Sequence, residues 1–379
     1  MTARLVLRAD RVTVPFRRPF ATATGMWLAR DAWLLQILDA DGRSGVGEAV
    51  LEPADGETAA TILEHLVREA VARAEQDGLP TGDELELHGA PGRALRAALD
   101  GAMFDLRGIP IARLGPEGDG VGVNATLPAL GPAASAEAAR QAIEAGFGTI
   151  KLKAGAERET EILVERVRAI RAAVGPEIRL RLDVNGAWDL ETATDRLEAV
   201  TRFGLEYVEQ PIPGDDPAPL AELRRRVKVP IAADESVRSV RAAREFLDAE
   251  AVDVLVVKPA RVGGPVAAAQ IAELALERGV PIVVSTLFET GVGIAAALAV
   301  AAALPDAPGR RLELQPDHGL ATAGLLDHDL LVESPHIEDG RMHLPVLASA
   351  GAAATGGLGI AIDERALTRY RVETVEAIG

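Results

Sequence analysis

Apolar positions recur along this chain with two periods, and the alternation between those periods lays out a fold. From 120 to 315, short runs rich in β-branched residues lie at GTIKLK (148–153), IRLRLD (178–183), LEYVE (205–209), VPIAAD (229–234), VDVLVVK (252–258), VPIVVS (280–285) and RLELQ (311–315), with GVGVNATL (120–127) opening the series. Between them are Ala-, Leu-, Glu- and Arg-rich stretches of helical spacing, such as AEAARQAIEAG and ERETEILVERVRAIRAAVG. Gly146, Gly175 and Gly279 each follow such a stretch, where a helix C-terminus favours glycine. Strand then helix, repeated about eight times, predicts parallel strands joined by crossovers. A doubly wound open sheet is the alternative, but no G-x-G-x-x-G follows the first strand. The number of repeats fits a (β/α) barrel of the α/β class better.

The flanks have another pattern. RLVLRADRVTVPF and DAWLLQILDADGRSGVGEAV alternate as strands around the turn-like DADGRSG, and residues 57–107 have helical spacing. The expected division is an α+β capping unit over 1–115, a barrel over 116–324, and a tail over 325–379 that returns to complete the cap. Within the tail, LASAGAAATGGLG has the composition of a loose loop.

Composition narrows the partners. Of 379 residues, 48% are hydrophobic and 26% charged, ordinary for a globular enzyme. No apolar run reaches the roughly 18–20 residues that span a bilayer, so no membrane partner is expected. The N-terminus lacks a signal-peptide h-region, which makes the expected location cytoplasmic. The net charge of −17 opposes a polyanionic backbone, so nucleic acid is not an expected partner. With no cysteine, disulfides and thiolate metal sites are excluded. None of the six histidines falls between 120 and 315, so a histidine base or a His-ligated zinc on the barrel strands is excluded too. His318, in PDHGLATAG after the last run, is placed to reach the barrel mouth, but a loop residue is the first expectation.

Candidate chemistry sits at the strand ends. Lys153, Asp183, Glu209, Asp234 and Lys258 each close an apolar run, at separations of 30, 26, 25 and 24 residues. In a parallel barrel those ends converge on the face where active sites form. Three carboxylates from consecutive strands would raise one another's pKa unless a cation joined them, and hard oxygen donors suit Mg²⁺. Arginine-paired carboxylates are the plainer reading, with Arg179 and Arg181 close by in sequence. Period two puts Lys151 and Lys153 on one side of their strand. Facing the lumen, each ammonium would depress the other's pKa and make a general base. Lys258 comes from a strand roughly opposite. A base on each side of a metal suits removal of a proton next to a carboxylate.

KLK, LDVN, VEQP, AADES and VVKPARVGG, in this order and spacing, resemble the enolase superfamily and its muconate-lactonizing-enzyme subgroup. VGEAVLEP and FETGVG extend the resemblance over essentially the whole chain. It implies a modified (β/α)₇β TIM-like barrel with an α+β cap built from both termini. It also implies Mg²⁺ (or Mn²⁺) on Asp183, Glu209 and Asp234, with Lys153 as base, Lys151 tuning it, and Lys258 as acid/base or enolate stabiliser. Asn185 and Glu235 would support the ligands, Glu235 by holding Lys258. Gly25, Met26 and Trp27, together with Ser285 and Glu289, would contact a small-molecule carboxylate. The cap segments 15–27 and 51–58 would close over it. Family members are often homo-oligomers.

RRPFATATG and the STLFETGVG…HGLATAGLL run are similar to o-succinylbenzoate synthases, which dehydrate a cyclohexadiene carboxylate. The Asp-x-Asp pair of dipeptide epimerases is not evident near the last strand, where LELQPDHG stands. Cycloisomerase and N-acylamino-acid racemase chemistry stay open. A metal-free Schiff-base aldolase would need one lysine but gives the three acids no role. A non-catalytic barrel is the remaining reading.

Overall fold

The computed structural model describes residues 5–22, 25–74, 78–80, 82–107, 119–304, 316–344 and 358–376. The expected boundary at 115/116, the run RLELQ and the Gly/Ala-rich 345–357 lie outside them.

The cap begins with three antiparallel strands, β1 (Val6–Thr22), β2 (Gly25–Leu38) and β3 (Ser44–Ala49), followed by helices α1 (Gly56–Ala74), α2 (Gly82–Glu86) and α3 (Gly89–Arg107). β1 and β2 pair from Val6↔Leu38 to Pro15↔Ala29 and resume at Phe20↔Trp27 after a register shift. Alternate residues Leu7, Ala9, Leu35 and Ile37 are buried against Val67, Leu95 and Leu99 of the helices, as a sheet with one covered face requires. β3 lies so close to α3 that only glycine fits at Gly45 and Gly47, where a Cβ would strike the backbone of Ala102 and Ala98.

The repeat then unrolls. β4 (Val121–Gly122) and β5 (Ala125–Leu127) precede α4 (Pro132–Glu144), β6 (Thr149–Lys153), α5 (Thr160–Val174), β7 (Arg179–Asp183), α6 (Leu190–Val200) and β8 (Tyr207–Glu209). α7 (Pro217–Arg226), β9 (Ile231–Ala233), α8 (Val240–Asp248), β10 (Val254–Val257), α9 (Pro259–Val262), α10 (Pro265–Glu277), β11 (Ile282–Val284) and α11 (Gly291–Ala303) complete it. β5 to β11 form one seven-stranded parallel sheet in sequence order. Gly146, Gly175 and Gly279 all have positive φ after their helices, as the sequence predicts.

The sheet curls closed through residues 318 and 319. His318 bridges to Val123 beside β5, and Gly319 bridges to Ser285 beside β11. The backbone N–H groups of Asn124 and Gly319 donate to the carbonyls of His318 and Val284. His318 is therefore a buried member of the closing stave, its Nδ1 accepting from the Val284 N–H at 3.0 Å. The expectation of a loop residue is corrected: both edges of the open sheet need a partner, and this segment supplies it.

A further correction concerns the opening run. The run 120–127 is split, because only β5 enters the barrel sheet. β4 pairs instead with a hairpin of β12 (His336–Glu338) and β13 (Arg341–His343). The tail thus serves both units. α12 (Glu364–Tyr370) and β14 (Arg371–Glu376) return to the cap, where β14 pairs with β1. Among the described residues no helix is long and apolar enough to cross a membrane.

Candidate active site

Period two decides what enters the barrel. On β6, Ile150 and Leu152 point outward into the apolar layer under the helices, and both are fully buried. Lys151 and Lys153 therefore face the lumen with Arg181, Asp183, Tyr207 and Glu209. Register completes the row, since Lys153 pairs with Asp183 on β7 and Asp183 with Glu209 on β8. Lower in the lumen, Tyr207, Ala232, Val254, Val256 and Val283 fill the interior as a separate cluster. Arg181 lies over the Tyr207 ring at 4.7 Å and bonds Glu206, Asn124 and the Asp317 carbonyl. It serves the barrel floor rather than the three acids, and Arg179 pairs with Asp317.

Three expected lysines and three expected acids come together towards the C-terminal ends of the strands. Lys151 Nζ bridges Asp183 Oδ2 at 2.8 Å and Glu209 Oε1 at 2.7 Å. Lys153 Nζ bonds Asp183 Oδ2 at 2.6 Å and Asn185 Oδ1 at 2.9 Å. Lys258 Nζ bonds Asp234 Oδ2 at 2.6 Å. β6, which ends on Lys153, and β10, which Lys258 directly follows, have three strands between them, so their ends stand on opposite walls of the closed barrel. The Lys153 side chain is 30% exposed against 9% for Lys151 and 11% for Lys258, so Lys153 is the most accessible of the three.

Charge follows from burial and proximity. Burial alone would lift Asp183, but the ammoniums of Lys151 and Lys153 hold it down to about 2. Asp234 is likewise held far below the usual carboxylate range, because Lys258 and Arg261 outweigh its burial. Glu209 is pushed up to about 8, by burial and then by the Asp183 charge. Lys151 is the reverse of the expectation. Burial pulls it down, but Asp183, Glu209 and Asp234 raise it well above the ordinary lysine value. The acids that sit between the two ammoniums outweigh the repulsion of one ammonium by the other.

Asn185 joins two members of the site. Its Oδ1 accepts from Lys153 and its Nδ2 donates to Glu235 Oε1 at 2.8 Å, on a left-handed backbone of φ 51°. Glu235 therefore holds Asn185, and the expected bond to Lys258 goes to Asp234 instead. Arg261 and Glu52 are residues the sequence reading missed. Arg261 Nη1 donates to Asp234 Oδ1 at 2.6 Å and Nη2 to Glu52 Oε1 at 2.5 Å, tying the cap to the barrel end. The plainer reading of an arginine-paired acid thus holds for Asp234, through an arginine three residues beyond Lys258. That spacing on the short α9 was the available signal.

The expected substrate contacts separate. Gly25 opens β2, Met26 is 60% exposed, and Trp27 packs edge-on to Phe288 at 5.6 Å with Phe16 at 6.1 Å. Cap and barrel loop therefore share one aromatic wall, and neither Phe16 nor Phe288 was foreseen. The Trp27 indole N–H is buried without a hydrogen-bond partner. Ser285 is buried, its hydroxyl donating to the Gly319 carbonyl at 3.2 Å. Glu289 is buried, where it accepts from the Leu287 N–H beside Glu48 and Arg30.

The donor set can be tested for a divalent cation. Among the described residues no three His, Cys, Asp or Glu side chains are already gathered as a metal cage. The acids are turned onto ammoniums, with Lys151 Nζ between Asp183 and Glu209. All donors are hard oxygens, Glu209 is driven towards its neutral form by burial and then by the Asp183 charge, and Glu235 Oε2 is buried with no partner. These residues fit an oxygen-seeking ion such as Mg²⁺.

A closed parallel barrel, with lysines facing each other across buried acids and a cap from both ends of the chain, defines the class. The chain belongs to the Enolase C-terminal domain-like family, whose model matches residues 134–366, and through it to the enolase superfamily of enzymes. It is 49% identical over 216 residues to o-succinylbenzoate synthase of Thermobifida fusca (strain YX), a match covering 57% of this chain and 63% of that protein, under two thirds of its length. It is 29% identical over 373 residues to o-succinylbenzoate synthase of Geobacillus stearothermophilus, covering 93% of this chain and 92% of the relative. Muconate lactonizing enzyme from Pseudomonas fluorescens, complexed with muconolactone, superposes with a TM-score of 0.82 at 25% identity, over 98% of this chain and 100% of that one.

Proposed function

We propose that this chain is a Mg²⁺-dependent lyase that removes a proton α to a carboxylate and expels water, as an o-succinylbenzoate synthase does. One observation carries the reading: Lys153 and Lys258 stand on opposite walls with Asp183, Glu209 and Asp234 between them. The likeness to the two synthases supports the choice of reaction. Asp183, Glu209 and Asp234 would hold Mg²⁺, which would supply positive charge to the substrate carboxylate as its α-carbon is deprotonated.

The chain's own residues do the rest. Lys153, the most open of the lysines and steadied by Asn185, takes the α-proton on one face and, as the carbon–oxygen bond to the leaving group breaks, gives that proton to the departing hydroxide, which leaves as water. Lys258, buried against Asp234, presents an ammonium to the charge that develops on the other face. Lys151 keeps Asp183 and Glu209 together. Met26 and the Phe16–Trp27–Phe288 wall shield the reacting carbon and offer an apolar surface to a cyclic substrate. Two lysines facing each other also suit racemisation, in which one removes a proton and the other returns it. N-acylamino-acid or dipeptide substrates are therefore the second reading.

The deciding assay gives the purified protein Mg²⁺ and the cyclohexadiene carboxylate, then panels of N-acylamino acids and dipeptides in deuterated water. Dehydration abolished by EDTA and restored by Mg²⁺ is the expected outcome. α-Deuteration of the amino-acid panels without dehydration would select the racemase reading. Turnover indifferent to EDTA would exclude both.

A further inference from the structure

A buried cluster behind Lys153 has no part in the reading above. The segment between β6 and α5 is pinned at three successive residues. The Lys153 carbonyl accepts from Arg166 Nη2 at 3.1 Å, the Ala154 N–H donates to the Asp183 carbonyl at 2.7 Å, and the Gly155 N–H donates to Glu157 Oε2 at 2.8 Å. Arg166, on α5, is also ion-paired through Nη1 to Glu157 Oε1, and both side chains are 3% exposed. From α6, Arg196 donates to the carbonyls of Glu157 and Arg158 at 3.0 and 3.1 Å and lies over the Trp188 ring at 5.2 Å. Gly155 has a φ of 99°, and a Cβ there would lie 2.7 Å from the Val184 carbonyl, so this turn is pressed against the one that follows Asp183.

Burying two guanidiniums and a carboxylate costs more than a plain apolar contact of the same size, and replacing such a group by hydrophobic residues is often neutral or stabilising. Stability is therefore a weak reason for the cluster. Its contacts point one way: each polar atom named ends on the main chain of residues 153–158 or on Glu157, which is part of that segment.

We infer that Arg166 and Glu157 are positioning residues that fix the main chain at Lys153, so that its ammonium meets the α-carbon on one face of the substrate. The inference rests on the reading of Lys153 as the base. A lysine on a short strand end can swing by an ångström if its carbonyl is released, and a displacement of that size costs about a hundredfold in rate. Neither residue touches substrate; they act through the carbonyl of Lys153 and the N–H of Gly155.

The test compares Arg166→Met, Arg166→Lys and Glu157→Gln in the full chain with Mg²⁺, on whichever substrate the protein turns over. The expected result for Arg166→Met is a fall in kcat of about ten- to a hundredfold. KM and the calorimetric Mg²⁺ affinity should hold within about threefold, and the isotope effect on the α-deuterated substrate should rise. Arg166→Lys, which can still reach the carbonyl, should recover part of kcat. Glu157→Gln keeps the shape and reads the same loss should Arg166→Met not fold. Folded variants with kcat within about twofold of wild type would overturn the inference, as would a loss confined to KM or Mg²⁺ affinity. Lys153→Ala run in parallel separates the two claims. If it retains turnover, the reading of Lys153 falls and the inference with it. If it is dead while the Arg166 and Glu157 variants are normal, only the inference falls.

Discussion

At the scale of single residues, the site is a balance between lysines and acids. Lys153 and Lys258 share no partner: one is held by Asp183 and Asn185, the other by Asp234. Removing either amine should therefore act on one face only and leave the opposite half intact. Lys153→Ala and Lys258→Ala are each expected to cut kcat by about a hundred- to ten-thousandfold with an unchanged far-ultraviolet spectrum, measured by steady-state kinetics. Asp234→Asn keeps the shape but removes the charge facing Lys258 and Arg261. It is expected to weaken Mg²⁺ by at least about tenfold by calorimetry, since even outer contacts to a metal cost that much.

Elements are held in place by close approach more than by any single polar contact. β3 carries Gly45 and Gly47 against α3, and it also presents Glu48 to the barrel. Glu48 accepts from the N–H groups of Thr290 at 3.0 Å and Gly293 at 2.9 Å and from the Thr290 hydroxyl at 2.7 Å, so a cap residue closes the N-terminus of α11. If α3 moved to admit a side chain at position 47, β3 would be disturbed and Glu48 with it. Gly47→Ala is expected to destabilise the protein by about 1–3 kcal/mol in denaturant titration, the usual cost of overpacking. A surface change such as Glu245→Gln should leave the midpoint where it is.

For the whole molecule, the join between cap and barrel makes stability depend on pH. Glu289 is pushed up to about 7 from an ordinary 4.5, first by burial and then by the charge of Glu48. Arg30 and the N–H groups of Leu287 and Glu289 itself pull the other way without overcoming it. The folded state therefore keeps this proton to higher pH than the unfolded chain does. Its contribution is most favourable below about 4.5, is lost as pH rises through about 7, and stays lost above. Glu289→Gln, which cannot ionise, is expected to gain stability over wild type at pH 8 but not at pH 4.5, by up to about 3 kcal/mol. Thermal melts at the two values measure it, and an equal shift at both would contradict the assignment.

Much of this was legible along the chain because two periods are local properties. Alternation placed Lys151 and Lys153 on one side of their strand and Ile150 and Leu152 on the other, and the regular spacing of Asp183, Glu209 and Asp234 brought three acids to one rim. Those conclusions need only the pleat of a strand and the handedness of a crossover. What the chain order could not convey was which distant groups meet. Arg261 against Asp234, Glu52 reaching from the cap, Asn185 taken by Glu235, and His318 closing the barrel all depend on contacts between elements far apart in sequence. The direction of the Lys151 shift belongs with them. A pKa sums burial and every nearby charge, and those distances exist only once the staves have closed.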